Sequence, residues 1–175
     1  METITKKLWE KSKILGGCDM IFIAIGTHTQ GFDRLLIEID ELVKNKTIKQ
    51  KVFAQIGSSR YKPKHYPFFK TCTHGKMINY IKKSKITITH GGAGLIIDCL
   101  VNNKKPIIVP RLSKFGEAVN NHQLELAQEL SKTNKITVVY NIRTLENAIK
   151  NSKKLKFKSK NKKLLINIKK YIEKL

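Results

Sequence analysis

The chain has 175 residues, enough for one domain of ordinary size or one large half of a two-domain enzyme. A hydrophobic share of 41% supports a packed core, and no apolar run approaches the ~20 residues that a membrane-spanning helix needs. The formal charge of +22 comes from 35 basic residues against 13 acidic ones, yet just four are arginines (Arg34, Arg60, Arg111 and Arg143), so the bidentate side chains on which nucleic-acid readers lean are scarce.

Part of that charge follows a composition rich in Lys, Asn and Ile; the remainder suits attraction to acidic lipid headgroups. Cys18, Cys72 and Cys99 are scattered, with no CxxC pair, which argues against a disulfide framework or a zinc site and fits a reducing cytosol. Met1–Lys13 lacks the apolar core of a secretory leader.

Residues 1–19 read as a basic extension ahead of the first core strand. Ile21–Ile25 is a continuous apolar run, as expected of a strand covered on both faces. The loop Gly26–Gly31 follows, and then a helix over Phe32–Val43 with Phe32, Leu35, Leu36, Ile39, Leu42 and Val43 on one face. Lys51–Ile56 is a second strand, Gly57–Pro67 a polar loop, and Phe68–Cys72 a short strand. Lys76–Lys82 reads as a helix with Met77, Ile78 and Ile81 inward.

Next comes the most informative stretch. The strand Ile86–Thr89 runs into His90-Gly91-Gly92-Ala93-Gly94, a helix over Leu95–Val101, and a strand over Pro106–Val109 ending at Pro110-Arg111. Asn120–Lys132 is a helix with Leu124, Ala127 and Leu130 at core spacing, capped by Asn120 or Asn121. Ile136–Tyr140 is a further strand and Thr144–Lys150 a further helix. Residues 151–175 carry ten lysines and one acid, with Leu164, Ile168, Tyr171, Ile172 and Leu175 at helical spacing. This amphipathic basic helix either packs on the sheet or meets an anionic membrane or a partner. Alternating strands and helices predict an α/β fold, a Rossmann-like parallel sheet of about six strands with helices on both faces, occupying residues 20–150.

A strand, a glycine turn and a helix N-terminus make an anion site, because backbone N–H groups and the positive end of the helix dipole converge on one spot. Here two such loops, Gly26–Gly31 and His90–Gly94, end parallel strands, where open α/β sheets bind ligands; a nucleotide, and best a nucleotide-sugar, is the expected ligand. Asp98, about one turn past Gly94, is placed to accept from ribose hydroxyls or is a solvated helix carboxylate. Glu117, Asn121, His122 and Gln123 crowd the start of a helix with Arg111 nearby. His28, His90 and His122 fall in these loops, where a neutral imidazole can act as a base near pH 7. No DxD, HExxH or Walker A pattern occurs, so no metal and no cofactor are expected; helix dipoles, Arg and Lys would stabilise a leaving diphosphate.

The segments IFIAIGTHTQGFDRLL, HGGAGLIIDCL, PIIVPR and GEAVNNHQLELAQEL resemble the donor-binding half of GT-B glycosyltransferases of the family 28 type, over about residues 20–140. The resemblance is to small stand-alone subunits of split UDP-sugar transferases, eukaryotic dolichol-linked and bacterial capsule or exopolysaccharide types. It implies that Gly26, Thr27, Gln30, His90, Gly91, Gly92, Ala93 and Gly94 approach the donor diphosphate, and that Asp98 holds the ribose. It further implies that Arg111, Glu117, Asn121, His122 and Gln123 line the sugar and diphosphate pocket.

Catalysis would be an inverting transfer from a UDP-sugar to a lipid-linked sugar acceptor, with His28 or a partner residue as base and Glu117 as a second candidate. A membrane-associated, acceptor-binding partner subunit, a cytoplasmic location peripheral to the membrane, and no nucleic-acid ligand complete the expectation. The alternatives are a non-catalytic enhancer of such a transferase and a basic nucleic-acid-binding α/β protein.

Overall fold

The computed structural model describes residues 19–152. Six strands run in chain order: β1 (Met20–Ala24), β2 (Lys51–Gln55), β3 (Phe68–Phe69), β4 (Ile86–Thr89), β5 (Ile107–Ile108) and β6 (Thr137–Val138). Five α-helices alternate with them: α1 (Asp33–Lys44), α2 (His74–Lys83), α3 (Ala93–Val101), α4 (His122–Ser131) and α5 (Leu145–Ser152). The strands form one sheet in the order β3-β2-β1-β4-β5-β6, and all pairs are parallel. The expected Rossmann-like α/β architecture is what the chain forms. The expected basic extension and the basic C-terminal helix fall, apart from residues 19, 151 and 152, outside the described residues.

Alternation along β1 explains the layers. Ile21 and Ile23, with Ile25 just beyond, join the cluster that packs α1 and α5, through Leu35, Leu36, Ile39, Leu145 and Ile149. Phe22 and Ala24 point the other way, against Ile81 of α2 and Cys99 of α3. A strand buried on both faces must be apolar throughout, which is why β1 reads as an unbroken run. On the same face as α3, Leu126, Ala127 and Leu130 of α4 pack on Ile96, Leu100 and Ile108. The expectation that Leu124 leads the core face of α4 is corrected: Leu126 is buried and Leu124 only half-buried. The helix begins at His122, not Asn120.

Strand order reverses between β1 and β4. Chain leaves β1 towards β2 and β3, and leaves β4 towards β5 and β6. The carboxyl ends of these two neighbouring strands form the topological switch point, where the diverging crossovers leave a crevice. Both glycine loops start there.

Candidate functional site

The first loop is held from below by Gln55, the last residue of β2 and fully buried. Its Oε1 accepts from the N–H groups of Ile25 (3.1 Å) and Gly26 (2.9 Å), and its Nε2 donates to the carbonyls of Gly26 (2.7 Å) and Lys70 (2.9 Å). Every polar atom of a buried amide is thereby satisfied. Gly26 has φ +75°, a left-handed conformation that glycine adopts without a Cβ penalty.

The His90 ring lies between the two loops. A Cβ on Gly26 would stand 2.8 Å from His90 Cε1, and one on Gly92 only 2.2 Å from Nε2. The glycines thus make room for an imidazole that sets the spacing of the loops. His90 Nδ1 is buried and has no hydrogen-bond partner among the described residues. Burial, reinforced by the charge of Arg111 and partly offset by the Ala24 carbonyl, pushes the His90 pKa down to about 4, so the ring is neutral near pH 7.

Arg111 is corrected from pocket-lining residue to buried clamp. It is 1% exposed. Its guanidinium donates to the carbonyls of Gln30 (2.6 Å), Gly31 (2.9 Å), Glu117 (3.0 Å) and Ile25 (2.8 Å), which ties the end of β5 to the first loop. Glu117 lines the larger cavity beside the first loop, and its carboxylate is also tied into the fold. Both of its carboxylate oxygens bind Arg34 at 2.8 Å, and Oε2 also accepts from the Leu112 N–H. A carboxylate engaged by a guanidinium fork and an amide is an anchor. Gln123 likewise bridges loops, its Oε1 accepting from Gly91 N (3.1 Å) and Arg111 N (3.3 Å). A Cβ on Gly91 would stand 2.7 Å from Gln123 Cβ, so glycine permits this approach.

Other expected site residues are more open. Gly94, near the start of α3, is exposed and nothing lies within 4 Å of where its Cβ would be. Ala93, at the first position of α3, is partly exposed. Thr27 and His28 are exposed, and His28 Nδ1 accepts weakly from Gln30 N at 3.3 Å. Asp98 meets His74 Nε2 at 3.0 Å, which sets the carboxylate at the N-terminus of α2. Asn121 precedes α4 but makes no side-chain cap; its Oδ1 accepts from Ser113 N and Oγ. Asn120 takes the capping role by accepting from His122 N. His122 is exposed and pairs with Glu125 at 3.3 Å.

A cavity of about 540 Å³ opens beside the first loop. Thr29, Gln30 and Gly31 line it together with Arg34, Arg60 and Phe115, whereas the second loop does not. Gln30 Oε1 is buried without a hydrogen-bond partner among the described residues. Among those residues no group of three or more His, Cys, Asp or Glu side chains is placed to hold a metal ion. Sequence reasoning missed Gln55, Arg34 and Arg60. A polar residue closing an apolar strand was the one available signal for Gln55.

From residue 20 to residue 175 the chain matches the model of the glycosyltransferase family 28 C-terminal domain. The chain belongs to this family. Over 73 residues, 42% of the chain and 23% of the relative, it is 38% identical to the UDP-N-acetylglucosamine transferase subunit ALG13 of Candida albicans. Among solved structures it is similar to the glycotransferase of kitacinnamycin, with TM-score 0.60, 14% identity and coverage of 79% of this chain and 36% of that one. It is also similar to MurG of Acinetobacter baumannii, with TM-score 0.54, 14% identity and coverage of 82% and 43%. These structural likenesses establish a shared glycosyltransferase fold. The family 28 domain described here spans less than half the length of each of these relatives.

Proposed function

We propose that this chain is the donor-binding subunit of a two-component, inverting glycosyltransferase that takes its sugar from a UDP-sugar. One observation carries the reading: two glycine loops meet at the switch point of a family 28 domain, joined through His90, Gln123 and Arg111. There the N-terminus of α3 offers unsatisfied N–H groups to a diphosphate, with Gly94 leaving it open. ALG13 bears the name of a transferase subunit, which supports a partner that supplies the acceptor half.

The acceptor in this reading is a lipid-linked sugar, and the chain works at the cytoplasmic membrane face through its partner. No helix among the described residues is long and apolar enough to cross a membrane. The leaving diphosphate is met by the α3 dipole and backbone amides, without metal. His28, exposed on the first loop, is the candidate base of this chain. To accept a proton at Nδ1 it gives up only the long bond to Gln30 N.

The test is transfer by the chain co-expressed with its membrane partner, preceded by calorimetric titration of UDP and UDP-sugars with and without Mg²⁺. We expect Mg²⁺-independent binding, and a loss of about 10²-fold or more in kcat for His28→Ala with binding retained. Full activity of that variant would move the base to the partner. Absence of transfer from every UDP-sugar would overturn the reading.

A further inference from the structure

The edge of the sheet opposite the glycine loops carries a second cavity, of about 160 Å³. Lys85, ahead of β4, and Asn103, Lys104 and Lys105, ahead of β5, line it. Ile86 of β4, Thr137 of β6 and Ser152 at the end of α5 complete the wall. The volume equals about five waters at ~30 Å³ each, room for a tetrahedral oxyanion with its first ester atoms.

The chemistry of the wall is one-sided. Three lysines, an asparagine, a threonine and a serine line the cavity beside one isoleucine, and no Asp or Glu does. Lys104 is fixed in place by donating to the Ser84 carbonyl at 2.5 Å. Lys85 gives one of its three N–H groups to Asp19 at 3.1 Å, at the rim. Lys105 is half-buried, and burial, then the neighbouring Lys135 ammonium, lowers its pKa from the ordinary lysine value. Like charges gathered in a partly desolvated recess repel, and a multiply charged anion relieves that cost.

We propose that this recess is a phosphate-binding site, formed by Lys85 and Lys105 with Lys104, and specific for a phosphate monoester, either soluble or as a lipid headgroup. It is distinct from the nucleotide crevice: it lies at the amino ends of β4, β5 and β6, whereas the glycine loops lie at the carboxyl ends of β1 and β4.

The experiment uses the full chain and two probes. Inorganic phosphate is titrated calorimetrically, and vesicles of phosphatidylcholine with or without phosphatidic acid are tested by co-sedimentation. Lys85→Gln and Lys105→Gln are compared with Lys62→Gln, which removes the same charge from the exposed β2–β3 loop. Thermal melts confirm that all three fold. We expect each cavity variant to weaken binding about fivefold or more, as for loss of one charge-assisted hydrogen bond, with Lys62→Gln unchanged. Selective loss of inorganic phosphate identifies a soluble ligand. Selective loss confined to phosphatidic acid vesicles identifies the headgroup. Equal weakening in all three variants, or no binding of either probe, overturns the site. UDP titration of the same variants reads the switch-point crevice separately.

Discussion

His90 shows how one side chain can be polar, neutral and essential to geometry at once. Its ring occupies the space that a Cβ on Gly26 or Gly92 would need, so the glycines and the histidine specify each other. This has a pH consequence. In the unfolded chain the imidazole takes a proton near its ordinary value of 6.5, and in the folded chain only at about 4. Between those values the unfolded state binds more protons, so stability rises with pH; it is complete above about 6.5 and is lost as pH falls towards 4. The loss expected across this window is about 3 kcal/mol at most. Urea midpoints at pH 7.5, 5.5 and 4.5 measure it, and His90→Asn should flatten the dependence. An equally steep fall in that variant would assign the effect to another group.

At the scale of elements, α1 organises the long loop between β2 and β3. Asp33 accepts from the N–H groups of Arg60 and Tyr61 at 3.0 and 3.2 Å. Two turns later the buried Asp40 accepts from the Tyr61 hydroxyl at 2.6 Å and from the N–H groups of Lys64 and His65. Burial opposes ionisation of Asp40, but Tyr61 and these amides together outweigh it and hold its pKa below the usual carboxylate value. The loop so anchored brings Ser58 and Arg60 to the larger cavity. Asp40→Ala leaves these part-buried hydrogen bonds without their acceptor and should cost about 1–3 kcal/mol. Hydrogen exchange at the Lys64 and His65 amides should accelerate with it. Unchanged exchange there would mean that the loop is held by other contacts, such as Tyr66 hydroxyl to Leu36 carbonyl.

The molecule as a whole carries +22, and most of its ion pairs among the described residues are exposed. Exposed pairs contribute about 0–1 kcal/mol each, so they do little against self-repulsion summed over the surface. Arg34–Glu117 is better buried, its side chains 18% and 6% exposed. Raising ionic strength from about 0.01 to 0.15 M shortens the screening length from ~30 to ~8 Å and weakens repulsion between distant lysines more than contact pairs. The melting temperature should therefore rise, by about 2–4 °C for each kcal/mol of repulsion removed. A falling melting temperature would show that ion pairs outweigh the net charge.

The sequence by itself determined the six alternating strands and both glycine loops. Those features rest on local signals, an apolar run for a doubly covered strand and glycine at a strand-to-helix turn, which hydrophobic burial enforces wherever they occur. It could not show that Arg111, Glu117 and Asp40 are buried. A charged residue in a sequence carries no mark of being buried, and its partners here lie far away: Arg111 reaches the Ile25 carbonyl across 86 positions, and Arg34 reaches Glu117 across 83. Tertiary structure alone decided which polar groups face a ligand and which secure the loops. The physical reason is that a buried charge is tolerated only where the fold brings enough donors or acceptors around it, and those come from segments that no local pattern connects.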